Sequence, residues 1–199
     1  MVSQQFPSSL GGFFQETFQL TNHEMSLISD KFQYRHLAKK DFYLHQGQII
    51  QSKAFLLQGV VRIYYTDDNL KENVLFFRFE NSWLGDVESY HEQTPSRINI
   101  QAIEPCEIAV ISKSDFHGLE QYIPALHQWY SANAVKMYAS LFNKLIEAKL
   151  RTPEEKYLHI LRHEPQILHR VPLQDIAAYL EIEPQSFSRL SKRMMQQGK

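Results

Sequence analysis

An α+β chain is what this sequence predicts: short N-terminal helices, an antiparallel β-barrel or β-sandwich, a long helix, and an all-α C-terminal unit. Three observations point there. Between about His36 and Ser112 lie short runs rich in β-branched and aromatic residues, separated by turn-forming residues. From Ala125 to Leu150 there is neither Gly nor Pro, and apolar residues recur every three or four positions. From Val171 onward the chain reads as two short helices joined by a tight turn.

Bulk properties bound the rest. A chain of 199 residues predicts one or two domains with a sizeable core. With 43% apolar residues and a formal net charge of −1, the composition carries no global nucleic-acid or membrane signal. Any contact with nucleic acid must come from a local basic patch. The single cysteine, Cys106, can form no intrachain disulfide and no four-cysteine iron–sulfur cluster, which fits a reducing cytoplasm. No run approaches the roughly 20 apolar residues of a membrane span. "MVSQQFPSSLGGFF" has neither the basic nor the apolar region of a secretory signal. The expectation is a cytoplasmic protein with no membrane partner.

The elements come in order along the chain. Phe14 and Phe18, four apart, predict a short first helix. Thr21 with Glu24 three residues on is a capping-box pattern, and Met25, Leu27, Ile28 and Phe32 then share a helical face. "DFYLHQGQII", "AFLLQGVVRIYYT", "KENVLFFRF", "INIQAIEP" and "EIAVIS" read as strands spanning about 80 residues. Asp67, Asp68 and Asn69 supply a hairpin turn between two of them, with Asn69 suited to a left-handed conformation.

In "PALHQWYSANAVKMYASLFNKLIEAKL", Leu126, Tyr130, Ala134, Met137, Leu141, Leu145 and Ala148 make a seam of the coiled-coil kind. Trp129, Tyr138, Phe142 and Ile146 widen it, so the helix is expected to pack both on its own barrel and on a partner copy. The alternative is a single intramolecular packing face. Thr152-Pro153-Glu154-Glu155 then predicts a capped helix start with proline in its first turn and acids on the helix dipole. "HEPQILHRVP" is a second short element.

In the terminal unit, Ile176, Ala177 and Leu180 form one apolar face and Phe187, Leu190 and Met194 another. Ala177 is small enough for the two helices to cross closely. Gln185, Ser186, Ser188, Arg189, Lys192 and Arg193 fall on the polar side of the second helix. Those residue types suit DNA, with Arg matching guanine, Gln matching adenine, and Ser and Lys holding phosphates. A merely solvated helix is the plainer alternative.

"IAAYLEIEPQSFSRLSKR" resembles the helix-turn-helix of the Crp–Fnr transcription regulators. The domain order resembles theirs as well, from about Leu20 onward. The resemblance implies an antiparallel β-roll (a double-stranded β-helix) with its N-terminal helices over residues 1–122. It implies a dimerisation helix over 123–150 and a helix-turn-helix DNA-binding domain over 151–199. "LLQGVVRIYY" and "SWLGDVESYHEQTPSRINIQAIEPCEIAVISKSDF" are similar to the family's hairpin and ligand cassette. The resemblance further implies a homodimeric, non-enzymatic regulator of transcription, with double-stranded DNA, a second copy and RNA polymerase as partners. Two departures bear on it. Glu181 stands where the family has a turn glycine, and a side chain at positive φ costs about 1 kcal/mol. Glu183 stands where Ser or Thr caps the recognition helix, and acids near phosphates weaken binding. The chain also resembles the short members that lack a β-hairpin wing.

In cyclic-nucleotide binders of this family a Gly-Glu pair and a downstream Arg hold the ligand. Their counterparts here are Gly85-Asp86 and, counting without gaps, Ser96. Arg97 reaches that position only through a one-residue shift, which would turn it to the other face of a strand. Cyclic AMP is therefore not expected, and an unidentified small effector in the roll is the remaining ligand possibility. The alternative function is a ligand-sensing or protein-interaction module whose terminal helix pair has lost DNA binding. A cupin-like metal enzyme would need clustered ligands. His36, His45 and His91 do not show that spacing, and neither do His159, His163 and His169. No metal is expected.

Overall fold

The computed structural model describes residues 7–129, 132, 139, 142, 145–146 and 150–197, without the side chains of 195–197. Two four-stranded antiparallel sheets face each other. One has the order β1 (Gln33–Leu37), β8 (Cys106–Ser112), β3 (Ser52–Gln58), β6 (Ser82–Leu84). The other has the order β2 (Phe42–Leu44), β7 (Asn99–Ala102), β4 (Val61–Thr66), β5 (Glu72–Arg78). Side chains alternate across each strand, so Ala54, Leu56, Ile108 and Val110 of the first sheet meet Val61, Ile63, Ile100 and Ala102 of the second in a buried core. This is the expected β-roll, with β1 and β6 as strands that the sequence pattern does not separate.

Gly59 makes the sharp passage from β3 to β4. Its φ is +101°, and a Cβ there would lie 2.5 Å from Cys106 Sγ and 2.7 Å from the Pro105 carbonyl oxygen, so only glycine fits. In the β4–β5 hairpin the Asp67 carboxylate accepts from the Asn69 and Lys71 amides. The left-handed residue is Leu70, at φ +62°, rather than Asn69.

Each sheet also has an outer face, and each is covered. The first is roofed by α1 (Ser8–Phe18), α2 (Asn22–Ser29), α4 (Lys113–Tyr122) and helical residues 124–129 (α5). Phe14, Ile28 and Phe32 pack there on Phe55 and Ile111. Thr21 starts α2 with the predicted capping box. A further short helix, α3 (Val87–Glu92), follows β6. Beyond α5, residues 132, 139, 142, 145, 146 and 150 are helical.

The outer face of the second sheet carries the C-terminal unit: α6 (Pro153–His163), α7 (Gln166–Arg170), α8 (Leu173–Tyr179) and α9 (Pro184–Gln197). Thr152 caps α6 through a second capping box with Glu155. Val60, Tyr64, Val74 and Phe77 of the roll share one continuous apolar cluster with Ile160, Val171, Ile176, Ala177, Leu180 and Phe187 of the unit. Alternation along β4 turns Val61 and Ile63 inward and Tyr64 outward, and the register shift opposite, which gives β5 one extra residue, lets Val74 and Phe77 both face outward with it. Two arginines stitch the polar margins. Arg62 on β4 donates to Asp175 on α8 at 2.7 Å, pairs with Glu72 at 2.6 Å, and also reaches Gln101. Burial lifts the Asp175 carboxyl above its ordinary range even so. Arg170 on α7 binds Glu80 and Glu104 of the roll. The C-terminal helices thus share one apolar cluster with the outer face of the second sheet.

Hydrogen bonding to Arg170 holds the Glu80 carboxyl down to about 2. A depressed carboxylate stabilises the folded state above its unfolded value, and that contribution is lost as pH falls from about 4.5 toward 2. Urea midpoints measured from pH 5 to pH 3 are accordingly expected to fall more steeply for the native chain than for Glu80→Gln. Parallel slopes would remove the contact from the stability of the dock.

Candidate nucleic-acid interface

The turn between α8 and α9 is set by backbone bonds. The Glu181 amide donates to Ala178 O at 3.1 Å and the Ile182 amide to Ala177 O at 3.0 Å, closing a Schellman motif. That motif places Glu181 at φ +60°, the strained position foreseen from its replacement of glycine. The Glu181 side chain reaches back to α6, where Lys156 Nζ lies 3.0 Å from its Oε1. An exposed pair of this kind is worth at most about 1 kcal/mol, enough to offset part of the strain. It also neutralises one of the two acids near the interface.

α9 is strongly two-sided. Phe187 and Leu190 are buried under Ile176, Ala177 and Leu180, with Ala177 fully enclosed where the helices cross. Gln185, Ser186, Arg189 and Lys192 are exposed on the other side. Two predicted contacts change. Ser188 is half-buried and donates its hydroxyl to Pro184 O at 3.2 Å, the local bond open to a serine inside a helix. Arg193 pairs with Glu154 at 2.7 Å, so its charge is shared with the first turn of α6. Glu183 is exposed at the entry to α9.

In the roll, the residues matching the ligand cassette satisfy one another. Asp86 is the N-cap of α3, accepting from the Ser89 amide at 3.2 Å and from the Ser96 hydroxyl at 2.7 Å. Ser96 is buried and also takes the Ile98 amide, whereas Arg97 is exposed; both lie in the loop that precedes β7, not on a strand. Ser89 in turn binds the Ile50 amide and Thr94 O. A Cβ on Gly85 would meet only Ile50, at 3.8 Å, so its glycine is not demanded by space.

Of the predicted seam, Tyr130, Ala134, Met137, Leu141 and Ala148 lie outside the described residues. Leu126 belongs to its own chain's core, buried with Phe14, Ile111 and Ile123, because α5 begins on the roof of the first sheet. This removes Leu126 from a seam open to a partner. Leu145 is 56% exposed, and Phe142, Ile146 and Leu150 are exposed beside it. Cys106 is a buried apolar-type residue whose thiol burial pushes up to about 11. Among the described residues no three His, Cys, Asp or Glu side chains gather as a metal site. Nor is any described helix long and apolar enough to cross a membrane.

Residues 34–122 match the family model of the cyclic nucleotide-binding domain. The β-roll is thus similar to that domain family over most of its length. Curated relatives in sequence include the cAMP-activated global transcriptional regulators CRP of Pasteurella multocida and Escherichia coli. They are 28% and 25% identical over 97 residues, 49% of this chain and 46% of theirs. The alignment therefore spans about half the length of those relatives. In structure, the chain is similar to the c-di-GMP responsive global regulator CLP of Xanthomonas campestris, with a TM-score of 0.70 at 19% identity over 89% of this chain and 93% of that one. It is also similar to FixK2 of Bradyrhizobium japonicum, with a TM-score of 0.69 at 13% identity over 84% and 86%. The Crp–Fnr resemblance is thus one of sequence in the roll and of fold across nearly the whole chain.

Sequence reasoning missed Arg62, Lys156, Arg170 and Asp175, which fix the helix pair in place. The bonds Lys156–Glu181, Arg170–Glu104, Arg170–Glu80 and Arg62–Asp175 span 25 to 113 residues of chain, and no local pattern announces such pairs.

Proposed function

We propose that the chain is a homodimeric, cytoplasmic DNA-binding regulator of transcription whose β-roll does not take up cyclic AMP. One observation carries the reading. The terminal helix buries its apolar side against a small-residue partner and leaves Gln185, Ser186, Arg189 and Lys192 to solvent. Such a helix can enter the major groove, with Arg189 offering two donors to a guanine edge, Gln185 matching adenine, and Lys192 a phosphate contact. Dimerisation would repeat it about one helical turn along the duplex. The exposed apolar residues Leu145, Ile146 and Leu150 support that pairing. Contact with RNA polymerase would accompany the regulatory role.

The Asp86–Ser96 hydrogen bond supports the second half of the proposal. A nucleotide phosphate would have to break it, and would meet a carboxylate and a hydroxyl where the cyclic-nucleotide binders present Glu and Arg. The exposed Glu183 favours the competing reading, a β-roll interaction module without DNA binding.

Fluorescence anisotropy with duplex DNA separates the two. Arg189→Ala is expected to cost about 1–3 kcal/mol of specific affinity and to relax preference at one base pair. An unchanged affinity and preference would take the base-reading role from Arg189. Leu145→Asp, which sets a charge in an apolar contact, is expected to shift the chain toward monomer in sedimentation. An intact dimer would contradict the seam. Calorimetric titration with cyclic AMP is expected to give no binding in the micromolar range, and a saturating isotherm there would mean that the cassette opens.

A further inference from the structure

Among the described residues, the C-terminal unit is attached to the rest of the chain in two ways. One is the backbone at Arg151 and Thr152, where the helix is broken. Leu150 is helical, Thr152 is extended at φ −65° and ψ 159°, and Pro153 starts α6 afresh. No helix running on from Leu150 sets the orientation of the unit. The other attachment is the dock on the second sheet.

The dock has an apolar part and a polar part. Val60, Val74 and Phe77 hold Ile176, Ala177 and Leu180 by burial, a non-directional attraction that tolerates small slides and rotations. The polar part is directional. The Arg62 and Asp175 side chains are only 13% and 14% exposed, so water competes little for either. Arg62 is oriented in turn by Gln101 and Glu72 of the same sheet. Arg170, the last residue of α7, grips Glu80 and Glu104, and Glu80 accepts from the Gly59 amide at 2.9 Å. Arg170 and Asp175 stand on either side of the Val171–Pro172 link between α7 and α8. A body pinned at two points cannot pivot about one of them.

We infer that these two pins fix the half-site spacing that the dimer reads, with Arg62 and Arg170 as positioning residues that act through α8 and make no contact with DNA. The inference rests on the homodimeric DNA-binding reading. Adding one base pair between half-sites moves them apart by about 3.4 Å and turns one by about 35°. A pinned α8 keeps α9 from following that change, and an unpinned one lets it follow. Base identity stays with the exposed face of α9.

The probes are the near-palindrome that the native chain selects from random DNA, and two versions with one base pair added or removed between its half-sites. The readout is the ratio of their affinities within one preparation, which an inactive fraction of misfolded chain leaves unchanged. The native chain is expected to bind the shifted sites about tenfold more weakly, the loss of a base contact. Arg62→Met/Asp175→Leu removes both partners, so no buried charge is orphaned. It is expected to reduce the penalty to about threefold or less, with half-site preference unchanged. Asp175→Asn keeps the shape of the pin without its charge, is expected to give a ratio between the two, and decides the matter should the double variant not fold. The native ratio in the folded variants, or a native chain that binds all three duplexes alike, overturns the inference and leaves the DNA reading standing. A native chain that selects no duplex defeats the DNA reading, and this inference with it.

Discussion

The outer face of the β4–β5 sheet cannot be left bare. Val74 and Phe77 project from it, and Tyr64 joins them beyond a register shift. Burying an apolar side chain of that size contributes about 1.5–3 kcal/mol. The C-terminal helices supply the cover, and in doing so their position is fixed by the roll. Arg62 then makes the dock directional: its guanidinium is shared among Asp175, Glu72 and Gln101 and lies 4.2 Å over the Tyr64 ring. A buried charge of this kind is stable only with all its partners in place, so α8 has one way to sit. The pose of α9 depends on that seating in turn, since α9 is held by α8.

The acids that weigh against DNA binding look different once they have neighbours. Glu181 occupies a left-handed turn for which glycine is the usual answer, but it is tied to Lys156. Glu154 is tied to Arg193. Each pair offsets one negative charge beside α9, and the Arg193 side chain remains 55% exposed. Arg189 and Lys192 remain exposed with Gln185 and Ser186, and Glu183 is exposed at the start of the same helix.

Local signals were legible in the sequence. The capping box at Thr21, the capped helix start at Thr152, the terminal helix pair, Ala177 at its crossing and the hairpin at Asp67 could be read from spacing and side-chain chemistry alone. The facing of Ser96 and Arg97 was not legible from strand alternation, because both lie in the loop before β7. Long-range information was not legible. Leu126 looked like the first position of an intermolecular seam because periodicity marks an apolar face without naming what covers it. Ser188 and Arg193 shared a polar face with Arg189, and only coordinates show that one bonds to its own helix and the other to α6. The dock through Arg62 and Arg170 joins residues far apart in the chain, which no local pattern announces.

Selection of bound duplexes from random DNA, at a stated salt concentration, tests the central claim most directly, since it reports binding, sequence preference and spacing at once. The proposed dimer, with an exposed α9 seated by each roll, predicts enrichment of a near-palindrome with half-sites about 10 base pairs apart, centre to centre. Recovery of a pool no different from the input would contradict the account. So would enrichment of single half-sites with no fixed spacing.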